Sequence, residues 1–190
     1  GIPTLTNIDN QWEGSAGQWV AVLFSYWVYR RYYSYMMPAG FYQWEYARRL
    51  GYRRRNLLKH CYSADVSIFH PVYERYHLAK RNQFPHRFLF VGRLVAVKAV
   101  DLLVESFCQL SREINHDWEL VIVGNGPLKE QLPQHSQITY HDFMQPEALK
   151  ELVADHGVFC LPSHWEPWGV VLHEFAAAGM PLVASWSVGA

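Results

Sequence analysis

The sequence predicts an α/β chain in which a Rossmann-like parallel sheet occupies residues 85–190, preceded by a separate aromatic and basic stretch over residues 1–84. Three observations predict it. From Arg87 onward, short apolar runs alternate with segments whose apolar residues recur at helical spacing, and such alternation with short connections implies parallel strands and right-handed crossovers. The runs themselves (FLFV, LVIV, VFCL, PLVA) are continuously apolar, as strands are when helices cover both sheet faces. Every conspicuous polar motif follows a strand, where ligands bind in open sheets of this kind.

Taken in order, Ile2–Ile8 is strand-like and ends at the polar turn Asp9-Asn10. The aromatic stretch Trp19–Tyr35 has no clear period, and Pro38 and Gly40 punctuate the chain just beyond it. A helix is expected from Phe41 to Leu50 with Gly51 as its C-terminal cap. Val66–Phe69 reads as a strand and residues 70–84 as a linker ending at Pro85. Phe88–Val91 is then a strand, and Leu103, Phe107, Leu110 and Ile114 mark a helix capped by Asp101. Strands come next at Glu119–Val123, Val158–Leu161 and Pro181–Ala184, with helices opened by Pro146-Glu147 and spanning Gly169–Ala178.

Half of the 190 residues are apolar and 18% are charged, which supplies a core and excludes global disorder. The net charge of zero hides a split. Residues 1–80 carry ten Lys and Arg against five Asp and Glu, and residues 81–190 carry seven against twelve. The basic part holds no nucleic-acid reading motif, so no nucleic-acid partner is expected. Cys61, Cys108 and Cys160 are isolated, which points to a reducing compartment and a cytoplasmic protein. The apolar run Trp19–Tyr29 is interrupted by Ser25 and falls short of the roughly 20 residues a span needs. A peripheral membrane contact is still among the expected partners. Tyr29-Arg30-Arg31-Tyr32-Tyr33 and Arg48, Arg49, Arg53, Arg54 and Arg55 suit anionic headgroups, an anionic acceptor, or simply a solvated basic face. The chain opens within a strand-like segment and stops just after another, and so reads as an internal fragment.

Three motifs carry chemistry. Gly92-Arg93-Leu94, with Lys98 four residues on, puts two cations on a strand-end loop, a planar fork and a compact charge suited to a diphosphate. Gly124-Asn125-Gly126-Pro127 permits a tight turn and close backbone approach to a ligand, or is a plain strand-to-helix turn. In LPSHWEPWGVVLHEFAAAGMPLVAS, residues 161–185, Glu166 lies before a helix that begins near Gly169, and Glu174 lies in its second turn. Free amides at that helix start suit phosphate, and the carboxylates suit sugar hydroxyls, unless they are solvated helix-end charges. Ten histidines form no ligand spacing, and Ser163-His164 has no acid partner for a triad.

VGRL-x-x-x-K, VIVGNGP and PSHWEPWGVVLHEFAAAGMPLVAS together resemble the successive signatures of the retaining glycosyltransferases of family 4, which have the two-lobed GT-B fold. The resemblance covers about residues 86–189. It extends more loosely over 1–85, which is similar to the end of that family's acceptor-binding lobe. It implies that residues 85–190 form the nucleotide-sugar-binding lobe and 1–84 the end of the acceptor lobe plus a linker. It further implies a sugar transfer from a nucleotide-diphosphate donor to an acceptor hydroxyl with retention of configuration. Arg93 and Lys98 would stabilise the leaving diphosphate, Glu166 would face the donor sugar, and Glu174 would bind ribose hydroxyls. The amides near Gly169 and Val170 would complete the phosphate cradle beside Gly124 and Gly126. The loop Asp142-Phe143-Met144, after a strand at 138–141, would hold the base. Asp9 stands where the family commonly has a histidine, and is either a polar substitute or a turn residue. No cofactor and no metal is required, the donor being a substrate and protein cations filling the metal's role. The acceptor is a glycan, a lipid or a small molecule. The chain departs from the family at Ala99 and Asp142, both usually glycine. A non-catalytic nucleotide-sugar-binding module and a nucleotide-sugar epimerase of related architecture are the alternatives.

Overall fold

A computed structural model describes residues 2–58 and 64–189. The chain divides into two compact units, Gly1–Tyr62 with Gly189–Ala190, and Ser63–Val188. Cys61 and His60 lie outside the described residues.

In the first unit, β1 (Leu5–Ile8) pairs in parallel with β2 (Tyr35–Pro38), Leu5 opposite Tyr35 and Ile8 opposite Pro38. The aromatic stretch between them becomes helix α1 (Ala16–Leu23), capped by the Ser15 side chain on the Gln18 amide, and a π-helical turn over Tyr26–Arg30. Helix α2 (Phe41–Arg49) comes after β2. A small core of Met36, Tyr46, Ala47, Leu50, Tyr52 and Leu57 holds these elements, with Ile8, Ala21, Val22 and Tyr29 packed against it.

The second unit opens differently from the expectation. Val66–Phe69 is not a strand, and residues 70–84 are not a linker. Val66–Phe69 and residues 70–82 belong to one helix, α3 (Val66–Asn82). Asp65 starts it by accepting from the Ser67 amide at 3.0 Å, and Pro71 sits inside it without stopping it. Buried Phe69 and Val72 fasten α3 to the core of the second unit, and Phe69 meets Phe175 at 5.8 Å between ring centres. Helix α3 thus falls within the second compact unit, Ser63–Val188.

Five strands complete the unit: β3 (Arg87–Val91), β4 (Glu119–Val123), β5 (Ile138–His141), β6 (Val158–Leu161) and β7 (Leu182–Ala184). They form one parallel sheet in the order β5-β4-β3-β6-β7, which is the predicted fold class. Arg87 and Glu119 face each other at the start of β3 and β4, and their side chains pair at 2.6 Å. Helices α4 (Val100–Glu113), α5 (Pro146–Ala154) and α6 (Val170–Ala177) fill the crossovers. Helix α3 packs on α5 and α6. Phe175 of α6 stacks on Phe159 of β6 at 4.2 Å, so the ring column Phe69–Phe175–Phe159 joins α3, α6 and the sheet. Cys108 and Cys160 are buried free thiols, and burial pushes the Cys160 thiol up to about 12.

Asp101 is not the cap of α4. The cap is Ala99, held in the left-handed region at φ 51°, and Asp101 falls in the first turn.

The strand order contains one reversal. From β3 the chain proceeds outward through β4 to β5, then returns to the other side of β3 for β6 and β7. The loops that leave β3 and β6 therefore diverge, and between them lies the crevice where open parallel sheets bind ligands.

Candidate functional site at the strand-order reversal

The loop after β3 is built by backbone contacts with the loop after β4. The Gly92 amide donates to the Val123 carbonyl at 3.0 Å, the Leu94 amide to the Asn125 carbonyl at 2.9 Å, and the Leu128 amide to the Leu94 carbonyl at 3.1 Å. Glycine is required on the facing side. A β-carbon at Gly124, which has φ +145°, would stand 1.9 Å from the Gly92 oxygen, and one at Gly126 would stand 2.3 Å from the Leu94 oxygen. Gly124-Asn125-Gly126 is thus an interlocking turn whose job is to hold the 92–94 loop.

That loop presents the two cations differently. Arg93 is exposed. Lys98 is mostly buried, and its ammonium is ion-paired with Glu166, the side chains being 17% and 13% exposed. The contact joins the loop after β3 to the loop after β6 across the crevice. A second tie runs beside it, from the His164 amide to the Val97 carbonyl at 2.9 Å.

Glu166 is fixed from behind as well. Its amide donates to the Ser187 carbonyl at 3.1 Å, and it forms a parallel bridge with Val188. Three residues on, Gly169 caps α6 at φ 83°, where a side chain would be strained and where a β-carbon would come 2.9 Å from Val188 and 3.3 Å from Glu166. Among the described residues no side chain caps the helix. The Leu172 amide bonds the Gly169 carbonyl at 2.9 Å. The amides of Val170 and Val171, at the positive end of the helix, have no partner within it.

Glu174 lies in the second turn of α6, half-buried, and burial raises its carboxyl above the ordinary value of 4.5. The folded chain then holds this proton more tightly than the unfolded chain. The stability it contributes falls as pH rises from about 4.5 through the raised value. Glu174→Gln is expected to flatten that slope, which melting curves at stepped pH would show.

Phe143 stands 66% exposed in the loop after β5. Asp142 beside it is ion-paired with Lys129, which also bonds Asn125 at 3.2 Å, so the loops after β4 and β5 are tied together. Asp9 is exposed in the first unit, and its backbone carbonyl accepts from the Gln43 side-chain Nε2 at 3.0 Å.

Sequence reasoning gave no binding role to three residues here that carry buried polar atoms. Ser163 Oγ and Trp165 Nε1 on the loop after β6, and Asp101 Oδ1 in the first turn of α4, have no hydrogen-bond partner among the described residues. A buried polar atom left unmatched costs about 1–3 kcal/mol. Three of them close in sequence to Lys98 and Glu166 mark a place suited to a polar ligand or ordered water. Their signal in the sequence was only their position next to the motifs.

A family model described as glycosyl transferases group 1 matches residues 79–190. The chain belongs to this family. It is 34% identical over 108 residues to an uncharacterized glycosyltransferase of Methanocaldococcus jannaschii, covering 53% of this chain and 27% of that protein. It is 31% identical over 103 residues to the alpha-D-kanosaminyltransferase of Streptomyces kanamyceticus, covering 50% and 26%. The chain therefore spans about a quarter of the length of these curated relatives. Among solved structures, Anabaena HepE in complex with UDP superposes with a TM-score of 0.73 at 16% identity, covering 98% of this chain and 54% of that one. At that identity the likeness concerns the fold.

Proposed function

We propose that this group 1 glycosyltransferase chain contributes the donor-binding lobe of an enzyme that moves a sugar from a nucleotide diphosphate to an acceptor hydroxyl with retained configuration. One observation carries the reading. The folding of β3 and β6 to either side of the strand-order reversal brings Lys98 against Glu166, 68 residues apart in sequence and four residues before α6 begins at Val170. A cation and a helix start for phosphate then lie beside a carboxylate for sugar hydroxyls. Arg93, exposed on the same loop as Lys98, adds a bidentate fork. The UDP and UDP-glucose complexes of Anabaena HepE support a nucleotide-sugar donor for a chain of this fold.

In the proposed reaction the bond from the anomeric carbon to the diphosphate oxygen breaks, and a bond from that carbon to the acceptor oxygen forms. The acceptor proton leaves with the diphosphate or to solvent. Charge gathers on the diphosphate as its bond breaks, and cations already in place stabilise it without reorganising. The exposed ring of Phe143, two strands away on the same rim, offers a stacking surface for the base. Asp9 is proposed as the acceptor-side contact.

The full-length protein should show a melting shift with one class among UDP-, GDP- and ADP-sugars, and should release the nucleotide diphosphate when an acceptor is added. No shift with any of them would overturn the donor site. Binding without release would make the protein a nucleotide-sugar-binding module, and conversion of the donor with no acceptor present would make it an epimerase.

A further inference from the structure

Lys98 and Glu166 satisfy each other across the crevice. Lys98 closes the short helical turn Ala96–Lys98, its amide donating to the Val95 carbonyl at 2.9 Å, and its ammonium meets the Glu166 carboxylate. Glu166 is held on its own side by backbone contacts with Ser187 and Val188, and the tie from His164 to Val97 keeps the two loops together. Both side chains of the pair are largely buried. Their neighbours show the reverse pattern. Ser163 Oγ, Trp165 Nε1 and Asp101 Oδ1 are buried with no hydrogen-bond partner among the described residues. The crevice thus leaves neutral donors and a carboxylate oxygen open while Lys98 is already taken.

That pairing sets a condition on any anion that comes to Lys98. A diphosphate that draws on the ammonium has two courses. It can pull the ammonium from Glu166 and strand a buried carboxylate, or it can sit beside that carboxylate as a like charge at close range. Both are unfavourable where water screens poorly. A ligand that also carries hydroxyl groups escapes the cost, because its hydroxyls donate to the carboxylate that Lys98 gives up. The backbone ties of the two loops stay as they are, and the exchange is one of side chains.

We propose that Glu166 competes with the diphosphate for Lys98, so that the site favours an intact nucleotide sugar over the bare nucleoside diphosphate. A charge left unpaired in the unwanted complex is a general means of discrimination. The same contact promotes product release, since with the sugar gone Glu166 reclaims the ammonium. The proposal rests on the donor-site reading above and gives Glu166 a role in it beyond facing the sugar.

Calorimetric titration of the full-length protein with UDP, GDP and ADP tests it without knowledge of the donor sugar. Glu166→Gln should bind the matching nucleoside diphosphate about tenfold tighter than wild type does, a coupling of the size found between groups in contact. In a Lys98→Met background the same change should bring no gain, because the ammonium that Glu166 was holding is absent. Acetic anhydride supplies a readout that leaves residue 98 unaltered. The Lys98 amine should acetylate slowly in wild type and faster in Glu166→Gln, where the bound diphosphate should protect it. Unchanged nucleotide affinity in Glu166→Gln, an equal gain in both backgrounds (the mark of plain repulsion), or equal acetylation in the two proteins would overturn the proposal and leave the donor site standing. Failure of all three nucleotides to bind wild type and Glu166→Gln alike would overturn the donor-site reading itself, and the proposal with it.

Discussion

If the proposed transfer is correct, Arg93→Ala and Lys98→Ala in the full-length protein are each expected to lower kcat/KM about 10²–10³-fold, the loss seen when one preorganised donor to a developing anion is removed. Their effects on stability should differ. Arg93 is exposed, so its loss should leave the Tm in place. Lys98 is paired with a carboxylate that is only 13% exposed, and removing it strands that charge. Breaking such a pair from one side costs on the order of 3 kcal/mol. Lys98→Met combined with Glu166→Gln should recover most of the stability and none of the turnover. Initial rates and denaturant melts on the same four proteins separate the two effects. Normal turnover by Arg93→Ala and Lys98→Ala would refute the assignment.

Gly124→Ala is expected to be the most damaging single methyl group in the second unit. The added carbon would stand 1.9 Å from the Gly92 oxygen and 3.0 Å from its carbonyl carbon, and both are backbone atoms in hydrogen-bonded loops. No rotamer relieves it, and φ +145° adds strain of its own. The expected cost is about 4 kcal/mol or more, enough to keep a marginal domain from folding. Gly92→Ala is the control, since its added carbon would meet only the tip of the Phe90 ring at 3.3 Å. Comparable melting midpoints for the two variants would show that the β3 and β4 loops are not locked together as described.

Much of the second unit was legible because its strands are short and continuously apolar and lie between strong turn residues. Glu119–Val123 and Val158–Leu161 occupy the very residues read for them. Helix α3 was misread for two local reasons. Val66-Ser67-Ile68-Phe69 has the β-branched and aromatic content of a strand, and Pro71 argues against a helix. Packing of Phe69 and Val72 on the core of the unit overrides both. In the first unit the 3.6-residue period was hidden because α1 is apolar on its outer face as well as its inner one. At the candidate site, Arg93, Lys98, Glu166 and Gly169 were each visible as residue types after strands. That Lys98 reaches Glu166 was not, because the meeting depends on which strands lie next to β3. The capping role given to Asp101 failed because Ala99 already turns the chain into the helix in a left-handed conformation.

The backbone interlock between the turns that leave β3 and β4 has a kinetic consequence. A rim already held by three amide-to-carbonyl bonds has little freedom left to lose when a ligand arrives, so complex formation pays almost no ordering entropy there. Association at this edge of the sheet should be a single fast phase, linear in ligand concentration and close to the encounter limit, with differences among ligands expressed in their residence times.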